Sequence, residues 1–290
     1  MGSNAEDRVA ILVGATSGIG VDLARDLATR GWKVACVGRR REAGEALLKT
    51  LPGDNVRFFA ADASNYEEYA NVFREVRKLW GQIDALCANA GIVDTSSIYI
   101  YDSKNNSVDD VPAAPALDVV DINYKGVVYG TQLAIHFMRH NPVRGGRIVI
   151  TGSVAGMFPH SSYPVYCGTK AAVNQFVRGV APLLKLKENI FINVVMPGIV
   201  DTPIVPPEMI EAVTPECVTP VDVILRGYQM FLEDTSGRTG ETVEGSGDKL
   251  VSYAMPAYGN GHITKRAVTV WEPLFRMMHG EDSRLPGAIP

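Results

Sequence analysis

Short apolar runs alternate with amphipathic segments along most of this chain. The apolar runs cover residues 8–14, 33–38, 56–62, 83–91, 145–153 and 190–198. The first of them, RVAILVG, is apolar at successive positions rather than at alternate ones. That pattern indicates strands buried on both faces, as in a parallel sheet covered by helices. The pattern therefore predicts six buried strands.

Helical segments separate the predicted strands. Within 66–80 the apolar side chains recur at spacings of three and four, at Tyr69, Val72, Phe73, Val76, Leu79 and Trp80. Longer helices are predicted around 117–140 and 164–186. The alternation predicts an α/β fold, a doubly wound parallel sheet flanked by helices on both faces. Because no repeat or linker is visible, we predict one domain over residues 1–290.

Three segments interrupt this alternation. The segment 93–116 is long, polar and proline-containing, which is typical of a functional or a mobile loop, and we expect a substrate loop there. Residues 199–218 are rich in proline and mixed apolar side chains, which is typical of a lid that closes on an apolar ligand. Residues 255–290 have little periodicity, so an irregular C-terminal tail is predicted, which could pack over a pocket, pack on a partner subunit or fray.

Composition narrows the functional classes. The formal net charge is −4 and no block of like charge is present, which argues against a nucleic acid or an anionic membrane as partner. The four cysteines are widely spaced and are expected to be reduced thiols. No apolar run approaches the roughly 20 residues of a membrane helix, and the polar N-terminus does not resemble a signal peptide. A cytoplasmic protein is therefore expected.

A glycine-rich turn lies between the first strand and the first helix. It covers residues 14–20, GATSGIG. The candidate cofactor contacts in this turn are Gly14, Thr16, Ser17, Gly18, Ile19 and Gly20. Glycines allow a tight turn and a close approach of the backbone to a pyrophosphate at the helix N-terminus. The alternative is a turn with a purely structural role. The strand–turn–helix context favours nucleotide binding.

The end of the second strand bears on cofactor choice. A carboxylate at this place would accept the ribose hydroxyl of NAD, whereas an arginine accommodates the 2′-phosphate of NADP. Here the strand ends at Gly38 and is followed by Arg39, Arg40 and Arg41. The arginines could also be a solvated helix start. With the acid missing, NADP(H) is favoured and NAD(H) remains possible.

Ser153, Tyr166 and Lys170 form a candidate catalytic group. Ser153 follows the fifth strand, at the carboxyl edge where open α/β sheets bind ligands. The spacing of four places Tyr166 and Lys170 on one helix face. A nearby ammonium lowers the pKa of a tyrosine, which is about 10 in isolation, by favouring the phenolate. A tyrosine and a lysine at this spacing are also common by chance, so the pair alone decides nothing.

The combination of motifs resembles the short-chain dehydrogenases/reductases over about residues 8–250. The resemblance rests on the order of six features, which are the glycine turn, Asn89-Ala90-Gly91, Asn123, Ser153, Tyr166 with Lys170, and Met196-Pro197-Gly198. It is greatest to members of the 15-hydroxyprostaglandin dehydrogenase type. It implies a single-domain Rossmann-type oxidoreductase with a nicotinamide cofactor.

The resemblance also implies roles for individual residues. Tyr166 would be the general acid/base, Ser153 would hydrogen-bond the reacting oxygen, and Lys170 would lower the pKa of Tyr166 and hold the nicotinamide ribose. Asn123 would position a water that links Lys170 to solvent. The remaining cofactor contacts would be Asp62, Ala63, Asn89, Ala90, Gly91, Pro197, Gly198, Ile199 and Thr202.

Some positions depart from the family pattern. Val13 replaces a threonine and Ala88 replaces the first asparagine of the Asn-Asn-Ala-Gly motif. Tyr163 stands where the prostaglandin enzymes carry a substrate-orienting glutamine, and their NAD-selecting carboxylate is also missing. We therefore expect a different substrate, which Val154, Ala155 and Tyr163 would contact.

Other chemistries fit less well. His136 and His140 have helical spacing but lack a glutamate between them and a third ligand, so no metal site is predicted. Ser153 lies in TGSVAG, which is not the Gly-x-Ser-x-Gly of hydrolases.

The expected activity is hydride transfer between NADP(H) and a secondary alcohol or ketone of a medium-sized apolar molecule. The alternatives are an NAD-dependent alcohol dehydrogenase, imine or enol reduction, a cofactor-assisted cyclisation, and a non-catalytic NADP(H) sensor. The partner is expected to be a small-molecule substrate, with no nucleic acid and no membrane. By resemblance the protein would form a homodimer or homotetramer through the helices at 117–140 and 164–186.

Overall fold

A computed structural model describes residues 8–290 of the chain. The polar segment 1–7, on which the expectation of no signal peptide rests, lies outside the described residues. The strands are β1 Val9–Val13, β2 Lys33–Gly38, β3 Val56–Ala60, β4 Ala85–Ala88, β5 Gly146–Thr151, β6 Ile190–Pro197, β7 Thr242–Ser246 and β8 Lys249–Tyr253. The helices are α1 Ile19–Thr29, α2 Arg41–Leu48, α3 Tyr66–Trp80, α4 Asp118–Val120, α5 Gly126–Met138, α6 Pro164–Leu183, α7 Pro207–Ala212, α8 Val221–Leu232, α9 Gly261–Ala267 and α10 Glu272–His279.

The strands form one sheet in the order β3-β2-β1-β4-β5-β6-β7-β8. The pairs from β3 through β7 are parallel, and β7 pairs with β8 in the antiparallel direction. The chain moves outward from β1 in one direction, returns, and continues from β4 in the other. The predicted α/β fold with a Rossmann-like sheet is confirmed, and the six predicted strands are all present.

Two apolar cores lie on opposite faces of the sheet. On β1, Ile11 belongs to the core that contains Phe73 of α3, whereas the next residue, Leu12, belongs to the core that contains Phe231 of α8. Successive side chains of a strand point to opposite faces, so a strand between two cores must be apolar at every position. This arrangement is the physical reason for the continuous apolar runs in the sequence.

The long predicted helices are present but interrupted. The segment predicted around 117–140 consists of α4, a π-helical turn at Asp121–Lys125, and α5. The segment predicted at 164–186 is α6, which is followed by a second π-helical turn at Leu184–Glu188. Single π turns inside helices are rare and often occur at functional sites. The first of them contains Asn123.

The segment 255–290, which was predicted to be an irregular tail, contains the two short helices α9 and α10. Helix α10 ends at Gly280, which has a left-handed φ of 81°. Its first residue, Glu272, accepts hydrogen bonds from the backbone N–H and the hydroxyl of Ser283 at 2.8 and 2.6 Å. Leu274, Met277 and Met278 remain exposed. Neither helix contains a buried residue, and at seven and eight residues both are shorter than the window over which a helical period is recognised.

The hydrophobic pattern also does not predict β7 and β8. Strand β7 contains Glu244 and Gly245, and β8 is mostly exposed, so neither has the continuous apolar character of the inner strands. The substrate loop predicted at 93–116 contains only a short 3-10 turn at Tyr101–Ser103. Within residues 8–290, no helix combines the length and the apolar character required to cross a membrane.

Candidate active site

A cavity of about 310 Å³ lies at the carboxyl edge of the sheet. It is formed by the segments that follow β1, β2, β3, β4, β5 and β6, because parallel strands deliver their connecting loops to the same edge. The predicted site residues that line it are Gly14, Thr16, Ser17, Gly18, Ile19, Arg39, Arg40, Asp62, Ala63, Asn89, Ala90, Gly91, Ser153, Tyr166, Lys170, Pro197, Gly198 and Thr202. Residues spread over nearly 190 positions of sequence therefore meet in one place.

The glycine turn needs its glycines for steric reasons. Gly14 has a φ of 78°, and a Cβ there would lie 2.7 Å from the Cα of Ala90. A Cβ at Gly20 would lie 2.0 Å from the carbonyl oxygen of Gly14. Gly18, with a φ of 52°, precedes α1 and offers no side chain to cap the helix. The first turn of α1 therefore keeps backbone N–H groups that can bind an anion.

Arg39 and Arg40 line the cavity beyond the end of β2. The Arg39 guanidinium is largely exposed and lies 3.9 Å from the Asp62 carboxylate, which follows β3. Asp62 also accepts hydrogen bonds from the backbone and hydroxyl of Ser64 at 2.8 and 2.7 Å, so its position is held locally. This end of the cavity presents one carboxylate that is held by Ser64 and two exposed guanidinium groups.

Asn89 ties three strand ends together. Its side-chain amide donates to the carbonyl oxygen of Gly14 at 3.1 Å, and its oxygen accepts from the hydroxyl of Thr151 at 2.9 Å. These contacts join the segments after β1 and β4 to the last residue of β5. Asn89 thus holds the glycine turn at a set distance from the Ser153 end of the cavity.

Lys170 is buried on α6. Its ammonium donates to the backbone carbonyl of Thr151 at 2.8 Å and lies 5.6 Å from the centre of the Tyr166 ring. Burial disfavours the charged form and lowers the pKa of Lys170 to about 8. The ammonium form still predominates at pH 7, so a positive charge is present beside Tyr166.

Burial raises the pKa of Tyr166, and a hydrogen bond with Ser153 acts in the opposite direction. This direction is opposite to the one predicted from the Tyr166/Lys170 spacing. The physical reason is that the phenol is removed from water, which disfavours the phenolate, while the Lys170 ammonium is directed to the Thr151 carbonyl. Ser153 also accepts a hydrogen bond from the N–H of Ala155 at 3.1 Å, which fixes its hydroxyl. Tyr166 is therefore a neutral phenol at pH 7, suited to donate a proton.

Asn123 lies behind the cavity, in the π turn between α4 and α5. Its amide pairs with both backbone groups of Ile92 at 2.9 Å and also donates to the Thr169 hydroxyl at 3.2 Å. A Cβ at Gly91 would lie 3.4 Å from both the Asn123 oxygen and the Lys170 nitrogen, so both groups lie close to this glycine. The predicted water-mediated link between them stays a prediction.

Several predicted residues are not among those that line the cavity. Gly20 and Ile199 are adjacent in the chain to residues that do line it. Val154 and Ala155 form a 3-10 turn after Ser153. Tyr163 precedes α6, with its ring 5.2 Å from that of His160. The predicted substrate contacts at these three positions therefore receive no support from the cavity.

Sequence reasoning missed other residues of the site. Thr151 anchors Lys170, and Asp94 accepts hydrogen bonds from the backbone of Val165 and Tyr166. Among the apolar residues that line the cavity, Ile92 and Ile122 were not predicted, whereas Val200, Pro203, Ile204 and Val205 lie in the segment 199–218 that was expected to close on an apolar ligand. The position of Thr151 at the end of β5 was a usable signal, whereas nothing local indicated Asp94.

The two histidines on α5 and after it make local contacts. His140 Nδ1 lies 2.8 Å from the carbonyl oxygen of His136, and the ring of His136 packs against Phe137. Among residues 8–290, no group of three or more His, Cys, Asp or Glu side chains is arranged to hold a metal ion.

Comparison with known proteins gives a consistent result. Residues 8–210 match the model of a family described as short chain dehydrogenase. The chain is 74% identical, over its full length and that of the relative, to the short-chain dehydrogenase/reductase prx6 of Penicillium rubens. It is 32% identical to the 15-hydroxyprostaglandin dehydrogenase [NAD(+)] of Mus musculus, over 68% of this chain and 69% of that protein. It is also 34% identical to the short-chain dehydrogenase/reductase ATR7 of Stachybotrys chlorohalonatus, over 68% of this chain and 57% of that protein.

Proposed function

The chain belongs to the short-chain dehydrogenases/reductases, and we propose that it is an NADP(H)-dependent oxidoreductase acting on a secondary alcohol or ketone of a medium-sized apolar substrate. The observation that carries this proposal is the meeting of Ser153, Tyr166 and Lys170 with the glycine turn in one cavity. Membership of a family of oxidoreductases that use a nicotinamide cofactor supports the general activity. The choice of cofactor and substrate rests on the local chemistry below.

The cavity fits a dinucleotide. The glycine turn leaves no room for a Cβ at Gly14 or Gly20, and the uncapped start of α1 is suited to a pyrophosphate. Strands β2 and β5 are three positions apart in the sheet, which corresponds to about 14 Å at the usual strand spacing. An extended ligand can therefore contact Arg39 at one end and the Tyr166 group at the other.

The proposed reaction assigns one task to each side chain. When bound, the nicotinamide supplies a hydride to the carbonyl carbon of the substrate. Tyr166 donates its phenolic proton to the carbonyl oxygen, so the ketone becomes an alcohol and one proton is taken up from solvent for each NADPH oxidised. The Ser153 hydroxyl hydrogen-bonds the same oxygen as charge develops on it. The Lys170 ammonium stabilises the phenolate that remains until Tyr166 is reprotonated.

The preference for NADP(H) rests on charge at the end of β2. Arg39 and Arg40 line the cavity, and the position at the strand end is Gly38, which offers no carboxylate. A Cβ at Gly38 would lie 3.0 Å from the side chain of Thr16, so a larger residue there would crowd the glycine turn. An arginine beside a strand end that carries no carboxylate is suited to bind a 2′-phosphate. Asp62 lies near enough to hold the Arg39 guanidinium when no phosphate is bound.

The experiment that tests this proposal is a fluorescence titration of NADPH and NADH. We expect the wild type to bind NADPH more tightly, and Arg39→Asp to weaken NADPH binding about tenfold or more while NADH binding changes little. The matched control is Arg41→Asp, because Arg41 is exposed and is not among the cavity residues. An equal loss of NADPH affinity in both variants would indicate a general effect of charge. Tighter binding of NADH than of NADPH by the wild type would overturn the NADP(H) assignment.

The apolar substrate is inferred from the segment after β6. Val200, Pro203, Ile204 and Val205 line the same cavity as Tyr166, and Ile204 remains 41% exposed, available to cover a ligand. Apolar walls with a few convergent polar groups are typical of sites for small apolar molecules. Reduction is the expected cellular direction if the cofactor is NADPH.

A second candidate is an NAD-dependent alcohol dehydrogenase. It is favoured by the 32% identity to a protein whose name specifies 15-hydroxyprostaglandin and NAD(+). The absence of a carboxylate at Gly38 weighs against it. The cofactor titration separates the two candidates directly.

A homo-oligomer is also proposed, through the exposed face of α6. Gly168 and Gly179 lie on this face, and a Cβ at either position would meet no atom within 4 Å. A helical glycine costs about 1 kcal/mol relative to alanine, and packing within the chain does not require either one. Close approach of a second copy would explain both. We expect light scattering to report a dimer or tetramer that Gly179→Arg converts to smaller species, whereas a monomeric wild type would contradict the proposal.

A further inference from the structure

Asp94 holds the first turn of α6 from a distant part of the chain. Its two carboxylate oxygens accept the backbone N–H groups of Tyr166 at 2.6 Å and of Val165 at 3.0 Å. Asp94 lies three residues after Gly91, in the loop that follows β4, and is separated from Tyr166 by 72 positions. The contact therefore joins the segment beside the glycine turn to the residue proposed to transfer the proton.

The start of α6 needs an acceptor from outside the helix. The residue before the helix, Tyr163, makes no side-chain capping bond, and Pro164 at the first position has no N–H. The N–H groups of Val165 and Tyr166 are thus the next donors without a helical partner. Helices usually satisfy these groups with a local Ser, Thr, Asp or Asn. Here a carboxylate from another loop takes that place.

We propose that Asp94 is a positioning residue that sets the place of Tyr166 against Ser153. This inference deepens the proposed function and rests on it. The hydrogen bond is made to the backbone of Tyr166 itself, so a shift of the carboxylate moves the Cα from which the phenol extends. A displacement of about 1 Å at a reacting group can lower a rate by about a hundredfold.

Asp94 is in turn held by its loop. The phenol of Tyr99 donates to the carbonyl oxygen of Ser161 at 2.8 Å, which ties the loop to the segment before α6. The hydroxyl of Ser96 accepts from the N–H of Ala116 at 2.9 Å, which closes the loop near its ends. These two hydrogen bonds hold the loop that carries the carboxylate, as a positioning group requires.

Loss of the carboxylate is expected to loosen α6 without unfolding it. A second cavity of about 270 Å³ lies against Asp94 and is lined in part by Thr95, Ser97 and Ser162. Water entering there can satisfy the two N–H groups in Asp94→Ala but does not hold them in one place. The geometry of proton transfer is lost while the N–H groups remain hydrogen-bonded.

The test compares Asp94→Ala and Asp94→Asn with Asp110→Ala, an exposed carboxylate of the same loop, as the matched control. For Asp94→Ala we expect kcat per NADPH-binding site to fall about tenfold or more, with the Kd for NADPH within about twofold of wild type. Asp94→Asn keeps one acceptor oxygen and is expected to restore most of kcat. The control is expected to match wild type in both quantities.

Two results would overturn the positioning role. One is an unchanged kcat per binding site in Asp94→Ala, which would make the contact purely structural. The other is a parallel loss of NADPH affinity and kcat, which would indicate collapse of the whole site.

A wild type that consumes no NADPH with any ketone would contradict the proposed function. The positioning role is then tested by the pKa of Tyr166, which does not depend on turnover. Asp94→Ala is expected to lower the pKa of Tyr166 toward its ordinary value, because the phenol becomes less buried. Absorbance titration measures this pKa, with Tyr166→Phe as the reference that identifies the signal of Tyr166. An unchanged pKa would contradict the positioning role alone.

Discussion

Tyr166→Phe is expected to lower kcat for ketone reduction by about a thousandfold, while the Kd for NADPH stays within about twofold of wild type. The substitution removes one hydroxyl from a ring that remains in place, so the cavity keeps its shape. General acid–base catalysis by a positioned side chain contributes about a hundredfold to ten-thousandfold, and the Ser153 hydrogen bond cannot supply the missing proton. Steady-state rates of NADPH oxidation and a binding titration measure the two quantities.

The matched control for this substitution is Tyr163→Phe. Tyr163 lies three residues earlier and is not among the residues that line the cavity. We expect it to retain kcat. Near-normal turnover by Tyr166→Phe on the true substrate would show that another group donates the proton, and the mechanism would be wrong.

The pH dependence of the wild type gives a second readout of the same mechanism. Burial raises the pKa of Tyr166, so the phenol stays protonated through the neutral range. Lys170 has a pKa of about 8, so its ammonium is present below that pH and is lost as the pH rises above it. The rate of ketone reduction is therefore expected to fall above about pH 8, when the charge that stabilises the phenolate disappears. A rate that rises through pH 8 and 9 would contradict this role of Lys170.

Gly20→Ala is expected to lower the affinity for NADPH by more than about a hundredfold and to destabilise the fold by about 1–3 kcal/mol. The added Cβ would lie 2.0 Å from the carbonyl oxygen of Gly14 and 2.9 Å from the side-chain nitrogen of Asn89. The Asn89 side chain and the Gly14 carbonyl cannot move apart without breaking the hydrogen bond of 3.1 Å between them. The glycine turn must shift, and the shift displaces the backbone that would contact the pyrophosphate. Urea unfolding and fluorescence titration measure the two effects.

The matched control for the glycine substitution is Gly259→Ala. A Cβ at Gly259 would meet no atom within 4 Å, and this glycine lies in an exposed part of the chain. Its affinity for NADPH and its stability are expected to match wild type. If Gly20→Ala behaves in the same way, the steric account of the turn fails.

Much of the site was predictable because its signals are local. The glycine turn is set by the backbone conformation at Gly14 and Gly18, and glycine is the residue that adopts a positive φ without strain. Tyr166 and Lys170 share a helix face because of their spacing alone. Ser153 lies at the carboxyl edge because it follows β5, a strand that its apolar sequence predicts to be buried.

The pKa of Tyr166 shows where local reasoning stops. The spacing to Lys170 suggested a lowered pKa, whereas burial raises it. Burial depends on every element that packs around the phenol, and no short stretch of sequence contains that information. The same holds for the pKa of Lys170, which is lowered because the side chain is enclosed.

By itself, the sequence determined the α/β architecture, the family and most of the predicted cofactor-site residues that lie at the carboxyl edge. It could do so because strands buried on both faces, glycine turns and helix faces are written in adjacent or regularly spaced residues. Only the tertiary structure decided the helices of the tail, the pairing of β7 with β8, and the hold of Asp94 on Tyr166. These features depend on contacts between segments far apart in the chain, and their energies arise only when the chain has folded.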